Sequence, residues 1–243
     1  MNQILKLAEI FAEYKLYPSE CFDNTSIAHI FQSTHSTDNY SKDLHKILLM
    51  QQYKPEQRGA DLPYWGNRFF QDNLSIRVMV ISQDSNALDA GSVVFHACLW
   101  PYMEKEEYKK YIKNNKLKAY AGYDLSKDLI QVLDLDYIYI TDASKVYKKD
   151  TREDKNFDKI RSKELIEREI SICDPDLIIL LGNQPMKFMG FKEEFKEVCN
   201  SVLISEDKSY IIAPFPSRRN RTYATRVEAA KTLFRSTLEK FKS

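Results

Sequence analysis

The stretch Asp174-Pro175-Asp176-Leu177-Ile178-Ile179-Leu180-Leu181-Gly182 decides the fold of this chain. Its apolar run is not interrupted by polar residues, which is typical of a strand buried on both faces of a parallel sheet. We predict this strand at Asp176–Leu181, ended by Gly182. The preceding pattern predicts a helix over Phe157–Cys173, which stops before Pro175 because proline disfavours helical geometry in the residue before it. A helix followed directly by a buried strand indicates an α/β sheet.

The same alternation extends to both sides of this stretch. Further buried strands are predicted at Arg77–Ser82, Tyr137–Thr141 and Tyr210–Ala213. Further helices are predicted at Lys42–Tyr53, Met103–Lys118, Pro185–Asn200 and Thr222–Phe241. We therefore predict a three-layer α/β fold with a central, mostly parallel sheet of about four strands flanked by helices. Such sheets bind their ligands at the carboxyl ends of the strands.

The length of 243 residues and the small number of glycines and prolines favour a single domain over 1–243. Up to about residue 60 the pattern is one of helices and loops, which predicts an N-terminal helical extension packed on that domain. Its first residues, 1–14, repeat apolar side chains at helical spacing with Glu9 and Glu13 between them. This pattern indicates an amphipathic helix rather than a signal peptide.

Composition narrows the functional classes. The net charge is only +1, so the molecule as a whole lacks the strongly basic character that would by itself indicate nucleic-acid binding. No stretch approaches the roughly 20 apolar residues of a membrane span. The four cysteines are far apart and form no Cys-x-x-Cys pair. The cysteine spacing disfavours a zinc site and a disulfide framework, which favours a cytoplasmic protein. We also expect no metal, no cofactor, no membrane association and no obligate protein partner.

Two clusters of basic residues are local candidates for nucleic-acid binding. One contains Arg218, Arg219 and Arg221, and the other contains Lys145, Lys148, Lys149 and Arg152. A solvated surface is the alternative interpretation of both clusters, and charge alone does not separate the two.

Four motifs, in order over roughly residues 60 to 243, carry a resemblance to a known family. They are Ser82-Gln83-Asp84-Ser85-Asn86, Ile140-Thr141-Asp142-Ala143-Ser144-Lys145, Asp174 to Gly182, and Pro214-Phe215-Pro216-Ser217-Arg218-Arg219-Asn220. Together they resemble the motifs of the uracil-DNA glycosylase superfamily, and the last is most similar to its single-strand-selective branch. Each motif is degenerate, and their order on an independently predicted sheet gives the resemblance its weight.

The resemblance implies roles for residues at the first strand end. Asp84 corresponds to the catalytic carboxylate, which offsets the charge of an oxocarbenium-like sugar and orients or deprotonates water. Gln83 would contact the base mainly through its backbone, and Phe95 would stack on the base. An aspartate that caps a helix or forms a turn is the alternative for Asp84, and a core aromatic is the alternative for Phe95.

Three departures from the family pattern bear on the substrate. Asn86 replaces a tyrosine that blocks substituents at pyrimidine C5, which leaves space there. Asp142 replaces the base-reading asparagine; an ionised aspartate offers acceptors only and therefore favours the N4 amino group of cytosine, whereas a neutral one can pair with either base. Phe215 stands at the position of the catalytic histidine, so help for the departing base must come from elsewhere.

The last motif is predicted to contact DNA. In the family this loop enters the minor groove, and here it would do so with a cationic wedge. The predicted DNA-binding residues are Lys145, Ser217, Arg218, Arg219, Asn220 and Arg221. An exposed, flexible loop before a helix is the alternative.

We therefore expect a metal-independent, monofunctional DNA glycosylase that acts on a 5-modified cytosine in duplex or single-stranded DNA. By analogy with superfamily members that act on modified cytosine in phage DNA, we expect a role in defence against phage DNA. Three alternatives remain open. The first is a uracil repair enzyme, and the second is a catalytically silent protein that binds modified DNA. The third is a nucleotide hydrolase that binds magnesium through Asp134, Asp136 and Asp142.

Overall fold

A computed structural model describes residues 3–14, 60, 63–66, 68–71, 76–84, 106, 110, 132–133, 137–146, 148, 157–215 and 223–242. Its helices, numbered in chain order, are α1 (Gln3–Ala12), α2 (Lys159–Cys173), α3 (Asn183–Phe188), α4 (Phe195–Val198) and α5 (Tyr223–Lys242). Its strands are β1 (Tyr64–Trp65), β2 (Val78–Asp84), β3 (Ile138–Ser144), β4 (Leu177–Leu181), β5 (Ser201–Ser205) and β6 (Lys208–Ala213).

The strands form one sheet in the order β1-β3-β2-β4-β6-β5. Strands β2, β4 and β6 are parallel, with Ile81 beside Leu180 and Leu181 beside Ala213, whereas β5 runs antiparallel to β6. The predicted α/β class with a mostly parallel sheet flanked by helices is confirmed. Within the described residues the sheet has six strands, compared with the predicted number of about four. Of the two additional strands, β1 has only two residues, and β5 lies just beyond a segment that we predicted as helix.

The predicted helix Pro185–Asn200 is instead two short helices, α3 and α4. Gly190 interrupts the pattern with a φ of +93°, a conformation that side-chain-bearing residues rarely adopt. The Lys187 ammonium then donates to the carbonyls of Lys192 and Glu193, at 3.0 and 2.8 Å. These bonds stabilise a turn where the hydrophobic pattern alone would continue the helix.

Helix α2 has well-defined ends. The Asp158 carboxylate accepts a hydrogen bond of 3.1 Å from the backbone N–H of Arg161, which is the standard side-chain cap of a helix start. At the other end, Asp174 adopts a φ of +44° and Pro175 follows. The boundary before β4 therefore agrees with the boundary predicted from the sequence.

Strands β5 and β6 form a hairpin with a two-residue turn. Glu206 and Asp207 have φ values of +50° and +62°, so both central residues are left-handed, as in a type I′ turn. Ser205 and Lys208 are the first cross-strand pair after the turn. The register of the hairpin follows from this turn.

The contacts divide the chain into two compact units. One comprises Met1–Tyr64, Asp84–Ala119 and Ser144–Cys173, and the other comprises Trp65–Gln83, Tyr120–Ala143 and Asp174–Ser243. Nothing in this division tests the single-domain assignment, which stays a prediction, as does the packing of an extension of about 60 residues. Among the residues described, no helix is long and apolar enough to cross a membrane.

In the first unit, α1 packs on α2. The predicted amphipathic helix at the N-terminus is thereby confirmed over Gln3–Ala12, and it buries Leu7, Ile10 and Phe11. The Arg168 guanidinium donates two hydrogen bonds to the Glu13 carboxylate, at 2.7 and 2.5 Å.

The second unit contains most of the sheet and an aromatic cluster. Trp65 stacks on Tyr139 with 6.0 Å between ring centroids, and Phe69 and Phe70 pack edge to face at 4.8 Å. All side chains of β4 are buried. This burial accounts for the uninterrupted apolar sequence of β4.

Candidate functional site

The carboxyl ends of three parallel strands meet at one edge of the sheet. Since Ile81 pairs with Leu180 and Leu181 pairs with Ala213, the residues that follow these pairs leave the sheet at the same level. They are Gln83 near the end of β2, Gly182 after β4, and Phe215 two residues after β6. The edge therefore combines three of the four motifs found in the sequence, at the place where α/β sheets bind ligands.

Gly182 is in close contact with the start of the last motif. Its N–H donates to the Ala213 carbonyl at 2.7 Å, and its φ is +99°. A Cβ atom at this position would lie 2.9 Å from the Cβ of Phe215, closer than real Cβ atoms approach one another. The glycine therefore allows the backbone just after β4 to lie against Phe215, the second residue of the last motif.

Phe215 is half-buried, and its side chain carries no hydrogen-bond donor. It occupies the position at which the resemblance places a catalytic histidine. The backbone and Cβ of Phe215 lie close to Gly182, so this residue is part of the strand-end structure.

Asp142 lies on β3, the neighbour of β2 in the sheet. Its side chain is buried, with an exposed fraction of 2%. Successive side chains of a strand alternate between faces, so Asp142 points away from the face that carries Tyr139 and Thr141. A carboxylate is costly to bury, and ionisable groups in such positions are concentrated at functional sites. Gln83, on the adjacent strand, is half-buried.

Strand β3 is longer than predicted, because it continues from Thr141 to Ser144. The last residues of β3 include Thr141, Asp142 and Ser144, and polar residues of this kind are typical of a loop. All of them are nonetheless buried, so the predicted base reader stands inside the sheet and not on a loop after it.

Lys145, which we predicted to contact DNA, is wholly buried. Its ammonium forms an ion pair with the carboxylate of Glu169 on α2, and the Glu169 side chain is also wholly buried. The same ammonium lies 5.9 Å from the centre of the Phe11 ring. The hydroxyl of Ser162 accepts hydrogen bonds from the backbone N–H groups of Lys145 and Val146, at 3.3 and 3.0 Å. This position is incompatible with a contact between the ammonium and a phosphate, so the DNA-binding assignment of Lys145 is wrong.

Glu169 was missed as the partner of Lys145. The signal was present, since Glu169 lies among the positions that make the buried stripe of α2, namely Ser162, Leu165, Ile166, Ile170 and Cys173. A charged residue at an apolar position of the helical repeat indicates a buried partner.

The remaining predicted residues are only partly covered. Asp84 is the last residue of β2, and the structure describes its backbone position only. Seven predicted site residues lie outside the described part of the chain: Asn86, Phe95, Ser217, Arg218, Arg219, Asn220 and Arg221. Asp134 and Asp136, named for the magnesium alternative, also lie outside it. Their roles remain predictions.

The fold is that of the α/β class with a mostly parallel sheet, in which ligands bind at the carboxyl ends of the strands. The chain belongs to the uracil DNA glycosylase superfamily, whose family model matches residues 69–242. This match covers all four motifs and confirms the resemblance inferred from them. Enzymes of this superfamily are DNA glycosylases, a class of hydrolase that acts on DNA. No curated protein matches the chain by sequence.

Proposed function

We propose that the protein is a monofunctional DNA glycosylase that hydrolyses the N-glycosidic bond of a flipped-out, 5-modified cytosine. The observation that carries the proposal is the buried carboxylate of Asp142 on the strand next to β2. Membership of the superfamily supports the reaction class, and the identity of residue 142 supports the choice of base. A role in defence against phage DNA is part of this proposal by analogy with relatives that excise modified cytosine.

Asp142 would select the base by hydrogen-bond complementarity. An ionised carboxylate accepts hydrogen bonds and donates none, so it matches the N4 amino group of cytosine and a proton at N3. Uracil presents an acceptor at O4, which an ionised carboxylate would repel. Asn86, in place of tyrosine, would leave room for a substituent at C5.

Asp84 would supply the catalytic charge. The C1′–N1 bond breaks with its electron pair leaving on the base, and the sugar becomes an oxocarbenium-like cation that water attacks. A carboxylate at the end of β2 would stabilise this cation and accept the proton of the attacking water. Since Phe215 cannot donate a proton, protonation at N3 of the base would assist departure.

The arginines of the last motif would hold the DNA. Arg218, Arg219 and Arg221 come three to six residues after Phe215, which stands at the sheet edge with Gly182. Guanidinium groups bind phosphates and also stack on bases, so they suit a loop that fills the space left by a flipped nucleotide.

The proposal is tested by incubating the protein with duplexes and single strands that contain uracil, cytosine or 5-modified cytosines, followed by alkaline cleavage at abasic sites. We expect excision of a 5-modified cytosine and poor excision of uracil at neutral pH. Asp84→Asn should lower single-turnover excision by about 10²-fold or more while DNA affinity stays nearly unchanged. Undiminished excision by this variant would remove Asp84 from the mechanism.

Asp142→Asn tests the choice of base. The amide restores the donor and acceptor that uracil requires. The ratio of the excision rate of uracil to that of cytosine should therefore rise by the factor that corresponds to about 1–3 kcal/mol of transition-state free energy. Thr141→Val is the matched control, because it removes a buried polar group from the neighbouring position on the opposite face of β3. A wild-type protein that excises uracil efficiently and ignores every 5-modified cytosine would refute the proposed substrate. Binding of modified DNA without any excision would refute the proposed activity.

A further inference from the structure

Strand β5 is at the end of the sheet formed by the described residues, and it carries two exposed β-branched residues. Val202 is 42% exposed and Ile204 is 78% exposed. The strand Ser201–Ser205 contains no charged residue and no proline. Edge strands of natural proteins usually carry a charged residue or a proline, because these residues prevent pairing with another strand.

The hairpin determines which backbone groups of β5 face outward. A two-residue turn makes Ser205 and Lys208 a hydrogen-bonded pair, and such pairs alternate with non-hydrogen-bonded ones along an antiparallel ladder. Leu203 opposite Tyr210 is therefore again a hydrogen-bonded pair. Val202 and Ile204 consequently direct their N–H and C=O groups away from β6.

The sequence of β5 is symmetric about its centre. Ser201-Val202-Leu203-Ile204-Ser205 has serine at both ends and a β-branched residue on each side of Leu203. Two copies related by a two-fold axis through Leu203 would pair antiparallel, with Val202 of one copy opposite Ile204 of the other. The outward N–H and C=O groups of these residues would form four hydrogen bonds, and their exposed side chains would pack in cross-strand pairs.

The charges next to the strand are compatible with this register. The axis places Glu206 of one copy opposite Asn200 of the other, so no acidic residue faces another across the ladder. A self-complementary surface of this kind gives a closed, isologous dimer and not an open fibre.

We propose that β5 pairs antiparallel with β5 of a second copy and forms a two-fold symmetric dimer centred on Leu203. The dimer extends the sheet across the two protomers. The proposal does not depend on the DNA glycosylase activity, because β5 lies outside the four motifs.

Sedimentation velocity of the full chain between about 1 μM and about 100 μM, a hundredfold range of protein concentration, tests the association. We expect the wild-type protein to approach twice the monomer mass over this range. Ile204→Lys should weaken dimerisation at least about tenfold, because it places a charge in the apolar pair. Ile160→Lys is the matched control, since Ile160 is 73% exposed on α2, and it should leave dimerisation unchanged. A wild-type protein that stays monomeric at the highest concentration, or a dimer that Ile204→Lys leaves intact, would overturn the proposal.

Cross-linking tests the register. Two Leu203 residues facing each other in a non-hydrogen-bonded pair would have Cα atoms about 4.5 Å apart, within the span of a disulfide. In a Cys199→Ser background, Leu203→Cys should form a covalent dimer under mild oxidation, whereas Ile204→Cys should form much less of one. Equal cross-linking of the two variants, or none by Leu203→Cys, would show that the copies do not pair about Leu203.

Discussion

The burial of Lys145 and Glu169 leads to a quantitative prediction about stability. Both side chains are wholly buried and form an ion pair. Lys145→Met removes the ammonium that pairs with the Glu169 carboxylate in the protein interior. Removal of one member of a buried pair destabilises proteins by about 3–5 kcal/mol. We expect a loss of that size in the free energy of unfolding.

The double variant Lys145→Met, Glu169→Leu should behave differently. It removes both charges and fills the space with apolar groups, a change that is often neutral or even stabilises by about 1–4 kcal/mol. The double variant should therefore be more stable than Lys145→Met alone. This ordering separates a buried pair from two independent surface charges, whose effects would simply add.

Urea unfolding measured by circular dichroism gives these free energies from the shift of the midpoint at constant slope. If the two compact units unfold in separate transitions, the shift should belong to the transition of the unit that contains α2. Lys163→Met is the control, because Lys163 is on the same helix but half exposed, 3.8 Å from Glu167, and should change stability by less than about 1 kcal/mol. A Lys145→Met variant of wild-type stability with reduced DNA affinity would refute the buried pair and restore the DNA contact that we excluded.

Two further predictions concern other positions. Gly182→Ala should cost more stability than Gly190→Ala. Both glycines have a positive φ, so each substitution adds about 1–3 kcal/mol of backbone strain. Only at residue 182 would the new Cβ also collide with Phe215. Gly182→Ala should also lower excision by displacing the last motif, and equal unfolding midpoints for the two variants would contradict the close contact. The Arg168 guanidinium lowers the pKa of Glu13 by hydrogen bonding, so this pair adds stability above the ordinary pKa of a glutamate and loses it as the pH falls through the lowered pKa. Thermal unfolding temperatures of wild type and Glu13→Gln should therefore differ slightly at pH 7 and converge as the pH falls through the lowered pKa of Glu13. The difference should be small because both side chains are about half exposed; a difference that grows on acidification would contradict the pairing.

Much of the fold was predictable because its elements carry local signals. The predicted strand Arg77–Ser82 is observed as Val78–Asp84, and the predicted helix Thr222–Phe241 is observed as Tyr223–Lys242. In both cases the hydrophobic period covers most of the element, so pattern and structure agree to within two residues. The boundaries were less predictable where polar residues are buried, as at the end of β3.

The candidate site was predictable to a smaller extent. The order of the four motifs indicated the family, and the family match confirmed it. The local sequence pattern could not show that Lys145 is buried, because it lies in a cluster of basic residues that gives no sign of which side chain faces the interior. A lysine side chain is buried only where the folded interior supplies an acidic partner, and the partner of Lys145, Glu169, is 24 residues away along the chain.

The sequence by itself determined the α/β class, the parallel strands at its centre and the superfamily, since each is encoded by residues that are neighbours in the chain. Only the tertiary structure decided which charges are buried in pairs, that Gly182 lies against Phe215, and that β5 ends the sheet of the described residues with Val202 and Ile204 exposed. The physical reason is that these features depend on contacts between distant segments. The free energy of a buried charge, a backbone contact or an open strand edge is defined only after those segments have come together.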